Sequence, residues 1–176
     1  MSVTLGRKAT RLALWAAALA VAAALAVGTP VPASAAAPDF SFDLDPGVAC
    51  AFALGVEGTG DKRIMREFTD RNGNLVRTLA AGKGFTLTFT NLSPGSSNSL
   101  TLPSSGSVQR TTINSDGTST VVSTGHNVLI LFDTDIPAGP STTLYVGRLV
   151  YTVDASGIFT VQSTSGTTTD LCALLA

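Results

Sequence analysis

The sequence predicts an all-β fold, an antiparallel β-sandwich or a barrel-like relative of it, with about eight to ten strands and one disulfide. Three observations carry this expectation. Short segments in which apolar and polar residues alternate recur along the chain. Turn signals such as Asn72-Gly73 and Asp116-Gly117 separate them at strand-like spacing, and nothing beyond the first 35 residues sustains an apolar period near 3.6 residues.

The first segment is read apart from the fold. Arg7, Lys8 and Arg11 stand before an apolar run from Leu12 to Val27 with no carboxylate among them. Gly28, Thr29, Pro30 and Pro32 interrupt that run before it reaches the roughly 20 residues that a membrane crossing needs. Ala33-Ser34-Ala35 then offers the small residues at which signal peptidase cuts. Residues 1–35 are therefore expected to be a cleaved signal peptide, with the product secreted and carrying no transmembrane anchor. Residues 36–47 are expected to form an N-terminal arm or edge strand carrying Phe40 and Phe42, and residues 48–176 a single β-sandwich domain.

Within that domain, Val48, Cys50, Phe52, Leu54 and Val56 alternate with Ala49, Ala51, Ala53 and Gly55, which predicts a strand bulky on one face and small on the other. Lys62–Phe68 and Leu75–Leu79 flank Asn72-Gly73, a pair suited to a type I′ hairpin turn. Phe85, Leu87 and Phe89 alternate with Thr86, Thr88 and Thr90 as a half-buried strand, and Asn91–Asn98 with its Pro94-Gly95 is a loop. A short strand at Ser99–Leu102 is stopped by Pro103. Ser107–Asn114 and Thr118–Thr124 then pair across Asp116-Gly117.

Thr124-Gly125-His126-Asn127 reads as a turn, and Asn127–Phe132 as a buried strand too short for a typical helix. After the loop Asp133–Pro140 comes a longer strand, Thr142–Val153. Gly157 turns it into Ile158–Ser163, and a Ser/Thr/Gly loop leads to the terminal residues 170–176.

Charge and cysteine content narrow the function classes. Past residue 35 there are eight Lys/Arg against twelve Asp/Glu, a formal charge of −4, which disfavours nucleic acid as a partner. Cys50 and Cys172 are the only cysteines. In an oxidising compartment an even count favours a disulfide, with two buried thiols as the alternative. Two Cys and one distant His lack the spacing and the fourth ligand of a metal site, so no cofactor is expected.

These segments bear a resemblance. Val48-Ala49-Cys50-Ala51-Phe52-Ala53-Leu54, Leu87-Thr88-Phe89-Thr90-Asn91-Leu92, Asp116-Gly117-Thr118, Thr124-Gly125-His126-Asn127, Gly147-Arg148 and the ending Asp170-Leu171-Cys172-Ala173-Leu174-Leu175 resemble a family of small secreted actinobacterial all-β proteins. The resemblance spans nearly all of the chain beyond the leader. It implies export, an all-β domain and a bridge between Cys50 and Cys172. It carries no activity and no catalytic residues.

Four constellations are candidates for chemistry. His126 is the only histidine, and Ser123 or Thr124 with Asp133 or Asp135 would complete a hydrolase triad around it, although no Gly-x-Ser-x-Gly elbow is present. Asp43-x-Asp45-x-Gly47 and Asp133-x-Asp135 offer loop oxygens of the kind that bind Ca²⁺ in adhesion domains, but Leu54 stands where an EF-hand needs a bidentate Glu. Tyr145 and Tyr151, six apart in one strand, share a face and could stack on a sugar; the only Trp, Trp15, is in the leader.

Finally, Lys62, Arg63, Arg66, Arg71 and Arg77 gather on and around the Asn72-Gly73 hairpin, with Asp61, Glu67 and Asp70 interleaved among them. The interleaved carboxylates suit charges that blunt an exposed hairpin edge, and as a binding patch the cations fit an anionic cell-wall polymer or another secreted protein as partner. The expected function is thus a secreted, non-enzymatic module for binding or structure at the cell envelope. A hydrolase using His126 and a calcium-dependent adhesion domain are the alternatives.

Overall fold

The computed structural model describes residues 37–176, and the leader with its cleavage point lies outside them. Ten strands follow in order: β1 (Phe40–Leu44), β2 (Leu54–Thr59), β3 (Lys62–Thr69), β4 (Leu75–Lys83), β5 (Thr86–Asn91), β6 (Ser99–Leu102), β7 (Gly106–Ile113), β8 (Ser119–Leu131), β9 (Ser141–Val153) and β10 (Phe159–Asp170). A single helical turn, α1 (Leu171–Leu175), ends the chain. The strands form two antiparallel sheets, β1-β2-β5-β6 and β10-β9-β8-β7-β4-β3. The fold is the all-β sandwich that the alternation predicts. No helix among the described residues is long and apolar enough to cross a membrane.

The inner face of the four-stranded sheet presents Leu54, Val56 and Phe89, and packs against Val128, Ile130 and Leu144 of β8 and β9. The C-terminal turn closes one end of this core. Asp170 caps it by accepting a hydrogen bond from the Ala173 amide at 3.1 Å, which sets the buried Leu171 and Leu175 four residues apart on one side. Asn91 Nδ2 holds the far end by donating to the Leu175 carbonyl at 2.9 Å. Cys172 is bonded to Cys50, with the two Cα atoms 5.5 Å apart and a separation of 122 positions in sequence.

The six-stranded sheet is folded over on itself. Leu149 stands opposite Ser123, and Leu129 lies six residues further along β8, so a flat sheet would hold the two leucines roughly 20 Å apart. They nevertheless share one buried cluster with Leu131. Ile136, five residues after Leu131, likewise pairs with Thr160, whose counterpart on β8 through β9 is Thr120. Five residues reach at most about 18 Å. On a flat sheet the eleven residues from Thr120 to Leu131 would span roughly 37 Å.

The crease runs along Gly125, Gly147 and Gly166, which stand opposite one another on β8, β9 and β10 with φ of 92°, 138° and 100°. A Cβ on Gly147 would run into the Ser165 carbonyl and one on Gly125 into that of Gly106, so only glycine lets neighbouring strands turn together here.

Several local expectations are corrected. The strand expected from Val48 begins at Leu54; Ala49 and Cys50 are both buried, successive residues of a turned segment in which the Gly47 amide donates to the Cys50 carbonyl at 2.8 Å. Thr124-Gly125-His126-Asn127 is not a turn between strands but the crease inside the continuous β8. The Ser/Thr/Gly stretch after Ser163 is the second half of β10, paired to β9 as far as Asp170. Its polar side chains suit a strand at the sheet's edge.

The expected two-residue hairpin turns are three-residue loops. The Asp70 amide donates to the Asn74 carbonyl and the Gly73 amide to that of Asp70, and the same pattern joins Asn114 to Thr118 and Asp154 to Ile158. In each, the glycine supplies the left-handed residue at the end of the loop.

Candidate functional site

Side chains alternate between the two faces of a strand, and directly opposed residues share a face, so the register sorts the charges. In the part of the six-stranded sheet away from the core of the first sheet, one ladder row runs Arg66, Leu79, Arg110, Val122, Val150. The next row runs Ile64, Ala81, Val108, Thr124, Arg148, and the row on the other side begins Phe68, Arg77. Lys62 continues this face along β3, and Lys83 stands opposite it. This is the outer, solvent-facing side: Arg66, Arg77, Arg110 and Arg148 are all exposed, whereas Ala80, Val121, Ser123 and Leu149 of the opposite face are buried.

Six of the eight Lys/Arg that follow residue 35 therefore share one face, and no Asp or Glu stands among its strand positions. Cations two strands apart lie roughly 10 Å from each other, close to the screening length at 0.1 M salt, so their potentials reinforce. Apolar groups sit among them: Ile64 is 71% exposed and Val108 43%. The Arg77 guanidinium lies over the Phe68 ring, 4.4 Å from its centroid, an arrangement that holds the cation against the sheet.

Of the five residues read from sequence as a basic patch, Lys62, Arg66 and Arg77 stand together on this face. Arg63 points to the other side, where its Nε and Nη2 donate to the two carboxylate oxygens of Asp61 at 2.9 and 2.7 Å. That hydrogen bond holds the Asp61 carboxyl below its usual range and raises Arg63. Arg71 belongs to the loop between β3 and β4. The acidic residues interleaved in sequence are separated from the cations in space: Glu67 lies exposed on the opposite face of β3, and Asp70 is turned into its own loop, accepting from the Asn72 and Asn74 amides at 2.8 and 2.9 Å. The sequence reading missed Lys83, Arg110 and Arg148, which reach the face only through strand order and register.

The remaining candidates fall elsewhere. Asp135 is 3% exposed and accepts from the amides of Phe132 and Phe159 at 2.7 and 2.8 Å, which ties the loop after β8 to the start of β10. Its carboxylate is a structural acceptor and does not orient His126. Thr124 donates to the Val108 carbonyl, and no hydrogen bond to the His126 ring is formed among the described residues. No group of three His, Cys, Asp or Glu stands close enough to hold a metal ion among the described residues. Tyr145 and Tyr151 pack against the Leu129–Leu131–Leu149 cluster, and Tyr151 stacks on Phe159 at 5.4 Å. Burial raises both phenols, the expected response of side chains drawn into a core rather than spread as an open platform.

Compared with protein-family models, with curated proteins and with solved structures, the chain matches none.

Proposed function

We propose that the chain is an exported, non-enzymatic β-sandwich that binds an anionic polymer of the bacterial cell envelope through the outer face of its six-stranded sheet. The observation that carries this reading is the gathering of Lys62, Arg66, Arg77, Lys83, Arg110 and Arg148 on a face without a carboxylate, in a chain whose formal net charge is −1. Such a distribution gives the molecule a positive side and a negative remainder, so a polyanion is attracted in one orientation. Export is supported by the leader pattern of residues 1–35 and by the Cys50–Cys172 bond, since disulfides persist in oxidising compartments. The resemblance to secreted actinobacterial proteins favours a wall polymer as the partner.

The test is sedimentation of the purified protein with isolated actinobacterial cell walls as salt is raised from about 0.05 to 0.5 M, a range over which exposed charges become screened. Retention is expected at low salt and loss at high salt. The triple variant Arg66→Gln, Arg110→Gln, Arg148→Gln is expected to stay in the supernatant throughout, while Arg63→Gln behaves as the parent. Retention that salt leaves unchanged, or that the triple variant preserves, would overturn the proposal.

A further inference from the structure

Behind the basic face lies a cavity of about 400 Å³, within the size range of small-molecule sites. Its floor is the inner face of the six-stranded sheet. There Gln109 and Ser123 stand directly opposite each other at core-facing positions of β7 and β8, where Val or Leu would fill the space. Ser123 is 2% exposed, so a polar residue has been placed in the interior at the cost of packing volume.

The walls are apolar: Phe85, Leu87 and Leu102 from the end of the four-stranded sheet, Leu129, Leu149 and Tyr151 from β8 and β9. The rim is tied in place without a ligand. The Ser104 hydroxyl donates to the Gly84 carbonyl at 2.6 Å, and the Gly84 amide to that of Ser105 at 3.1 Å. A wall already ordered loses little freedom when something binds.

Asn127 also lines this cavity, and its Nδ2 is the one buried side-chain polar atom among the described residues that lacks a hydrogen-bond partner. Buried donors of this kind are rare, because leaving one unmatched costs the desolvation of the group. The terminal torsion of an asparagine is soft, so an oxygen in the cavity can draw the amide round to face it. None of the described lining residues is Asp or Glu, and the one guanidinium, that of Arg63, is already held by Asp61, while His126, also at the lining, is exposed and stands beside Asn127.

We infer that the cavity is a binding site for a neutral small molecule with an apolar, largely aromatic or hydrocarbon body and a carbonyl or ether oxygen that accepts from Asn127. The body fills the leucine and aromatic walls, and the polar strip of Gln109, Ser123 and Asn127 orients the oxygen. This site is independent of the polyanion face, since the two use opposite sides of the same sheet.

The experiment titrates the full protein with prodan, a neutral naphthalene bearing a ketone and a dimethylamino group, and in parallel with dimethylaminonaphthalene, which lacks the ketone. Prodan is expected to bind saturably, one per chain, with blue-shifted emission. Asn127→Leu is expected to weaken prodan by about 3- to 10-fold, the range of one hydrogen bond, and to leave the ketone-free probe within about twofold. The same variant is expected to raise the melting temperature, because it removes the unmatched donor, and this shows independently that it folds. Ser123→Leu, which fills the floor, is expected to abolish both probes. Absence of saturable prodan binding by the parent protein, or equal weakening of both probes in Asn127→Leu, would overturn the inference.

Discussion

The four-stranded sheet and the outer wing of the six-stranded sheet bury their side chains in opposite measure. In the first, Leu54 and Phe89 are at most 1% exposed, as is Cys50 in the segment leading into it, and the bond to Cys172 with the capped turn α1 closes the end. In the wing formed by β3 and β4, Ile64 is 71% and Met65 65% exposed, and Ala80 is the one buried residue of the two strands. Hydrophobic burial scales with the area removed from water, so the stability of the fold resides in the first region. The second keeps its register through backbone pairing and spends its side chains on charge. A region relieved of core duty is free to carry a surface of one sign.

The sharpest way to break this comparison is at the disulfide. Replacing both Cys50 and Cys172 by Ser frees a loop of 122 residues in the unfolded chain. By chain entropy that costs about 5 kcal/mol, a large part of the 5–15 kcal/mol typical of a domain. Chemical denaturation followed by far-UV dichroism should show the loss with a β-rich spectrum before the transition. A change below about 1 kcal/mol would mean that the closed end is not where stability resides.

Next in size is a pair of truncations. Phe89→Ala, in the core between the sheets, should cost about 3–5 kcal/mol, whereas Ile64→Ala on the wing should stay within about 0.5 kcal/mol. Equal costs in the same denaturation experiment would show that the wing is covered in solution by something that its exposed face conceals.

The same contrast explains what could be read from the sequence. Alternation at Phe85–Thr90 and the Asx-to-Gly loops at Asn72-Gly73 and Asp116-Gly117 are local signals, and the hairpins they mark are where the chain places them. From sequence the crease at Gly125 reads as a turn, because a glycine inside a strand and a glycine between strands look alike until Gly147 and Gly166 stand beside it. Cys50 reads as part of a strand because alternation continues through it, while burial of the adjacent Ala49 follows from contacts with distant residues such as Thr142, whose hydroxyl donates to the Ala49 carbonyl at 3.2 Å.

The basic patch was half legible. Lys62, Arg66 and Arg77 are near one another in sequence, but Arg110 and Arg148 join them only through the strand order β3-β4-β7-β8-β9. The cavity was not legible at all. Ser123 and Gln109 are ordinary strand residues until pairing shows that both face inward.

The smallest effect expected is on pH. Hydrogen bonds from Asn74 to Asp70 and from Thr118 to Asp116 hold both loop carboxyls below their usual range, and Arg63 does the same for Asp61. A carboxyl whose folded value is lowered stabilises the fold above its unfolded value, about 3.9, and that contribution disappears as pH falls through the lowered one. All three groups sit in the β3–β4 and β7–β8 part of the molecule, and none is near the disulfide-closed core. Acidification below about pH 4 should therefore loosen the two hairpin loops first. Amide hydrogen exchange should quicken at Asn72, Asn74 and Thr118 while Leu54 and Phe89 keep their protection. Asp70→Asn with Asp116→Asn should remove this pH response, because neither amide side chain titrates. Simultaneous loss of protection in both regions would mean that the wing and the core unfold as one unit, and that their division of labour is structural rather than energetic.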